Sequence, residues 1–238
     1  MDALLTLWLA VVGAGAPGHP VEKQVVVTIT AKQLEGGVLS EITWDRGVLL
    51  MQGIVAEPDG RLSPHYVIVP VDGVGLKQLA AATPEAKKYW DRKASRLSPT
   101  GLGRITSASD ASMPMYGVGN QATRINDAYL MGGIQQKHLL HLGPLVLHER
   151  TNDEEPYDGE VWSWSPAELN RIAYVDARGD LWVADADGTH AERLLKGDFT
   201  LPAWSDDGRM IAVAEMRERG RRWEISVVHL PPALALPH

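Results

Sequence analysis

The sequence predicts an all-β chain assembled from repeated four-stranded antiparallel sheets, and three observations predict it. Trp-Ser recurs forty residues apart, at Trp164-Ser165 and Trp204-Ser205. Each copy precedes a turn-rich stretch, an Arg and an apolar β-forming run, in "SWSPAELNRIAYVD" and "AWSDDGRMIAVAE". Upstream, "VDGVGLKQL" at 71–79 matches "ADGTHAERL" at 186–194 without a gap. Twenty-three Gly and fifteen Pro supply the many tight reversals that short strands need. A period near 40 residues with four short strands per unit is the signature of a β-propeller. One such sheet exposes two apolar faces and cannot fold alone, whereas sheets stacked around an axis bury those faces against each other. At ~40 residues per blade the chain holds about five blades, with four or six as the neighbouring counts.

The elements follow in chain order. Ala3 to Val12, "ALLTLWLAVV", is apolar but too short to span a membrane, and small residues follow it. That is the pattern of a secretory signal, although Asp2 stands where a signal usually carries Lys or Arg. The expectation is a signal over 1–16, a propeller over 17–238, and a periplasmic or secreted protein. The competing reading of the same run is a buried strand or an uncleaved anchor. Val21 to Leu34 is rich in Val, Ile and Thr and reads as a strand. A weaker repeat covers 40–80. It has a short strand ending near Trp44, a turn at Asp45-Arg46-Gly47, a run from Val48 to Val55, a Glu57–Gly60 turn, and a strand from His65.

Thr83 to Ala94 is the one good helix candidate, because Thr83 can cap, Pro84 suits the first helical position and Glu85 favours the positive end. From Ser95 to Gly133 the pattern fades, with strands expected around Ile105 and Tyr129. Two strands flank Gly143-Pro144, and Thr151 to Glu160 is an acidic, turn-rich loop. The clearest repeats are 161–196 and 201–230. In the first, Trp164 ends one strand, "RIAYVD" is the next, "LWVADA" the third and "AERLLK" the fourth. The second copy stops before a fourth strand, so Val25 to Thr30 is expected to complete it and join the two ends of the chain.

The two clear copies resemble TolB-type propeller repeats. Trp164, Ser165, Pro166, Ile172, Ala173, Asp185, Asp187, Gly188, Arg193 and Leu194 match in the first copy. Trp204, Ser205, Asp207, Gly208, Ile211 and Ala212 match in the second. In the first copy Ala167-Glu168-Leu169-Asn170 replaces the usual Asp-Gly turn, and in the second Asp206 stands where Pro is usual. The resemblance implies the architecture. It does not imply an activity, because propellers host many functions. Trp162, Trp164, Trp182, Trp204 and Trp223 are expected to build contacts between blades, with Trp44 doing the same in the weaker repeat.

Composition narrows the chemistry. The absence of Cys excludes disulfides, thiolate metal sites and Cys nucleophiles. A net charge of −7 gives no general attraction to nucleic acid or anionic lipid. There is no GxSxG elbow, P-loop or dinucleotide fingerprint. His138, His141 and His148 lie close together with Glu149, but "HLLH" lacks the Glu of a zinc-protease motif. Calcium is the cofactor to weigh, on the acidic residues Asp153, Glu154, Glu155, Asp158 and Glu160 or on Asp185, Asp187 and Gly188. The acidic loop lacks EF-hand spacing and reads equally as a solvated face, and the resemblance implies that Asp185, Asp187 and Gly188 are turn residues. "MRERGRR" from Met216 is a basic patch expected in an exposed hairpin. The expectation is an exported binding scaffold for a protein or peptide, with no catalytic residues, no cofactor and no nucleic acid, and not integral to a membrane. The alternative is a propeller enzyme, a hydrolase or lyase, with a His/carboxylate site at the channel mouth.

Overall fold

The computed structural model describes residues 10–12, 21–32, 38–45, 47–56, 59–70, 77–79, 95–110, 137–150, 160–218 and 222–235. The helix expected at Thr83, the strand expected near Tyr129 and most of the acidic loop lie outside them. Two strands come first, β1 (Ala10–Val12) and β2 (Glu22–Thr30). The first sheet has the order β3 (Val38–Asp45), β4 (Val48–Ala56), β5 (Leu62–Pro70) and β6 (Lys77–Leu79). The second holds β7 (Ile105–Asp110), β8 (Lys137–Leu142) and β9 (Leu145–Arg150). The third runs β10 (Trp162–Trp164), β11 (Arg171–Val175), β12 (Leu181–Asp185) and β13 (Glu192–Leu195). The fourth contains β14 (Phe199–Trp204), β15 (Met210–Arg217) and β16 (Arg222–His229). A single turn of helix, α1 (Pro232–Ala235), follows.

The fourth sheet takes its outer strand from the other end of the chain. β2 pairs antiparallel with β16 from Arg222↔Thr30 to His229↔Glu22, with one irregularity at Ile225/Ser226. β1 adds outside β2, with Ala10 opposite Gln24 and Val12 opposite Glu22. β15 extends to Arg217, so part of the expected hairpin "MRERGRR" is strand.

The second sheet also has a fourth member. Leu97 bridges Arg104, and the Ile105 N–H donates to the Arg96 carbonyl at 2.7 Å. Arg96 and Leu97 therefore meet the start of β7 through an isolated bridge, at the place a first strand holds in the other sheets. The sequence there, "LSPTGLGRI", follows the Trp-Ser-Pro pattern with Leu97 in place of Trp. One unit stands between the Trp44 and Trp164 units among the described residues, where an even spacing of forty predicts two. Four blade-like sheets are seen among those residues, within the expected range of four to six.

Apolar clusters hold neighbouring sheets together. Ile105, Leu140 and Leu142 of the second sheet meet Trp162, Trp164 and Ile172 of the third. Val175, Leu181 and Val183 of the third meet Trp204, Ile211 and Val213 of the fourth. Ile29, Trp223 and Ile225 of the fourth meet Ile42, Trp44 and Leu49 of the first. In each cluster the Trp that ends an inner strand faces back onto the neighbouring sheet. β15 shows why its sequence is uniformly apolar. Ile211 and Val213 face one cluster and Ala212 and Ala214 the other, so both sides of the strand are buried. Leu97, at the Trp position of the second sheet, is 45% exposed. No such cluster joins the first and second sheets among the described residues, and no closed ring is seen among them.

Tyr174 stacks on Trp182 with ring centroids 6.2 Å apart and is buried in the cluster between the second and third sheets. Burial, and then the charge of Asp176, push its phenol up to about 12. A folded-state value above the unfolded one, which is about 10, means the neutral phenol is favoured by folding. That stabilisation is complete below pH 10 and is lost as pH rises to about 12, a change on the order of 2 kcal/mol. Urea unfolding at pH 9 and pH 11.5 is expected to show the loss, and Tyr174→Phe is expected to remove this share of it.

Candidate functional site

The turns that follow the inner strands lie at one end of the sheets, and in three of the four sheets the turn is built on a serine. The Ser205 Oγ accepts the Met210 N–H at 2.9 Å and donates to Asp207 Oδ1 at 2.7 Å. The Ser165 Oγ accepts the Arg171 N–H at 2.8 Å. The Ser98 Oγ accepts the Gly103 N–H at 2.9 Å. In all three the serine N–H also donates to the carbonyl of the residue it bonds, at 2.9 Å in Ser165 and 2.8 Å in the other two. The hydroxyl thus satisfies a backbone donor where the strands part. Trp-Ser and Leu-Ser steps are positions of turn chemistry, and the one carboxylate bonded to these hydroxyls, Asp207 at Ser205, belongs to the same turn. Ser98 is the member the sequence reading missed. Its Ser-Pro followed by Gly and Arg is the signal that finds it.

The β12–β13 turn occupies the same end. The Asp187 Oδ1 accepts the Thr189 hydroxyl at 2.7 Å and its N–H at 2.9 Å, which holds the Asp187 carboxyl below the usual range. Gly188 has φ +85°, and a Cβ there would lie 2.1 Å from the Leu142 carbonyl oxygen of the second sheet. Gly188→Ala is expected to cost on the order of 2–4 kcal/mol in urea unfolding, since backbone strain and a backbone clash act together. Asp185 sits between His190 and Arg171. Its Oδ2 is 2.8 Å from His190 Nδ1 and its Oδ1 is 3.5 Å from Arg171 Nε. Asp187 thus bonds within its own turn, whereas Asp185 bonds His190 of that turn and Arg171 of β11.

These groups do not form a relay. A Ser/Thr–His–Asp relay needs the two ring nitrogens of the histidine to face different partners. Thr189 Oγ1 and Asp185 Oδ2 both contact Nδ1 of His190, at 3.0 and 2.8 Å. His148 Nδ1 is bonded to the Val175 carbonyl at 3.0 Å. Among the described residues no three His, Asp or Glu side chains gather as ligands for one ion. The side chain of His138 lies outside the described residues.

The inner edge of the fourth sheet is bonded to its neighbours. β14 is the edge strand of its sheet, and its Leu201 N–H donates to the Glu160 carbonyl at 2.9 Å. The Trp204 N–H donates to Ser163 Oγ at 3.0 Å, and Trp44 Nε1 donates to the Ala203 carbonyl at 2.8 Å. Neighbouring sheets therefore occupy these three groups of β14. Two cavities are lined by described residues. One of about 380 Å³ is lined by Ser95, Arg96, Leu97, Arg104, Ile105 and Thr106. The other, about 240 Å³, lies at Trp44, Gly47 and Ser205–Asp207.

The basic patch is paired rather than bare. Arg217 bonds Glu224 at 3.1 Å and Glu215 at 3.0 Å, and Arg222 bonds Glu218 at 3.0 Å and Glu224 at 3.3 Å. Lys23 of β2 also bonds the buried Glu215. Hydrogen bonding to Glu224 raises the Arg217 guanidinium further above its ordinary value. Arg219 and Arg221 lie outside the described residues.

No helix among the described residues is long and apolar enough to cross a membrane. No protein family matches the chain, and no curated protein matches it. Solved structures similar to it include the β-propeller domain of the Trilobed protease from Pyrococcus furiosus, described as having an open velcro topology. That match has 14% identity and a TM-score of 0.29, and covers 80% of this chain and 54% of that one. Pyrococcus horikoshii acylaminoacyl peptidase matches at 12% identity with a TM-score of 0.26, over 75% of this chain and 35% of that one. The chain thus spans about half of the first and about a third of the second. The blade assignment rests on the sheet order and the three clusters above.

Proposed function

We propose that the chain is an exported, TolB-like propeller of four blades that serves as a binding scaffold for a protein or peptide. The observation that carries this reading is the filled inner edge of β14, taken by Glu160, Ser163 and Trp44. A propeller enzyme needs polar groups converging on an open axial site. Here the polar groups near the axis are spent on holding blades together, and the turn-face histidine lacks relay geometry. Recognition then falls to the turn face. Removal of a leader after Ala14 would take away β1 and leave the eight-residue-deep pairing of β2 with β16 in place.

The test is affinity capture with the purified chain from the exported fraction, alongside a panel of peptide, ester and polysaccharide substrates. A specific co-purifying protein and no turnover are expected, with a mature N-terminus at Gly15. Turnover of a small substrate with no captured partner would reverse the assignment in favour of the hydrolase or lyase reading.

A further inference from the structure

The cavity of about 380 Å³ lies beside the Ser98 turn of the second sheet, and nothing in the turn chemistry uses it. Ser95, Arg96 and Leu97 line it from one arm of the turn, and Arg104, Ile105 and Thr106 from the other. Both arms are held in place. The Ser98 N–H donates to the Gly103 carbonyl at 2.8 Å, and the Ile105 N–H donates to the Arg96 carbonyl at 2.7 Å. The Ser95 carbonyl accepts Nε1 of Trp164 at 2.8 Å, across the boundary with the third sheet. A Cβ on Gly103 would lie 1.9 Å from the Ala186 carbonyl oxygen, so the turn also presses directly on the third blade. The wall therefore stands before any ligand arrives, and the volume is that of a small binding site.

The wall has an apolar and a cationic part, side by side. Leu97 and Arg104 are the two members of an antiparallel bridge. Residues directly opposed in such a pair stand on one face, with Cβ atoms about 5 Å apart. Leu97 is 45% exposed and belongs to none of the three clusters that join sheets, whereas Trp44, Trp164 and Trp204 each fill one. Arg104 is exposed and forms no ion pair among the described residues. A guanidinium fork pairs bidentately with a carboxylate, and an exposed Leu is stabilised by being covered. The ligand that matches both carries a carboxylate and an apolar side chain close together. The last residue of a polypeptide carries the two on one Cα. An Asp or Glu within a chain supplies only the carboxylate.

We propose, building on the scaffold reading, that this cavity is where the scaffold recognises the C-terminus of its partner. The terminal carboxylate pairs with Arg104, and an apolar last side chain covers Leu97. Capture of a terminal carboxylate is a recurring mode of peptide recognition. The guanidinium selects the free end of a chain over its interior, and Leu97 selects the kind of residue found there.

The probe is a labelled synthetic peptide, Gly-Ser-Gly-Val-Leu with a free C-terminal carboxylate, titrated into the full chain and followed by fluorescence anisotropy. Its C-terminal amide is expected to bind about tenfold more weakly or worse, the usual effect of losing a hydrogen-bonded charge. Ending the peptide in Gly in place of Leu is also expected to weaken it. On the protein, Arg104→Gln removes the cation, and Leu97→Trp places in the cavity the residue that the other three sheets carry. Each is expected to reduce affinity about tenfold. Both positions are exposed, so urea midpoints close to the parent's are expected to accompany the loss. No binding of the carboxylate peptide, equal binding of acid and amide, or unchanged binding by both variants overturns the proposal. The titration decides the site whether or not a partner is recovered. A captured partner held equally by the parent and Arg104→Gln chains overturns this site while leaving the scaffold role intact.

Discussion

Trp44→Ala will destabilise the chain by about 3–5 kcal/mol, the usual cost of removing a buried Trp from a core. Trp44 is 1% exposed and packs with Ile29, Trp223 and Ile225 across the boundary between the first and fourth sheets. Its Nε1 also donates to the Ala203 carbonyl at 2.8 Å, a bond between residues 159 apart in sequence. The substitution therefore opens a cavity and removes a partner from a buried acceptor. Trp44→Phe keeps most of the ring and loses only the donor, so about 1–2 kcal/mol is expected for it. Leu97→Ala is the contrast. Leu97 holds the corresponding place in the second sheet but is 45% exposed. Its loss is expected to stay within about 1 kcal/mol. Chemical denaturation of the three variants measures the series. A Trp44→Ala chain as stable as the parent would mean that the first and fourth sheets do not share a core.

The second large effect lies at Glu215, which joins the two ends of the chain. The Glu215 side chain is 7% exposed and receives Lys23 from β2 and Arg217 from its own strand. The Lys23 ammonium also sits 4.8 Å from the centre of the Phe199 ring, so the cation is held on a largely apolar surface. Glu215→Leu strands Lys23, which is 17% exposed, without its carboxylate. Breaking one side of a buried pair costs about 3 kcal/mol. Adding Lys23→Met should restore most of that, because a matched apolar pair needs no desolvation of charge. Hydrogen exchange gives the local reading: the amides of β2 are expected to lose protection before those of β11 in Glu215→Leu. Uniform loss across both strands would place Glu215 in the general core rather than at the closure.

The repeated unit was legible because its residues act within their own turn and strand. Trp164-Ser165 and Trp204-Ser205 mark the ends of inner strands, where a hydroxyl must cap a departing N–H and a large ring must reach the next sheet. The strand at Val25 could be assigned to the last sheet because a three-stranded unit leaves an edge and the chain offers one spare β-forming run. The copy at Leu97-Ser98 escaped notice because Trp is the loudest mark of the unit, and here an exposed boundary asks for no Trp.

Sequence alone determined the all-β class, the unit of four strands and the inner-strand places of Trp44, Trp164 and Trp204, because propensity and period are properties of neighbours along the chain. Tertiary structure decided that Lys23 meets Glu215 and that Arg171 meets the tail carbonyls, over 192 and 63 residues of separation. It also decided that the inner edge of β14 is filled. Those outcomes depend on which faces are stacked, and a charged or polar side chain carries no local sign of the partner that burial will assign to it.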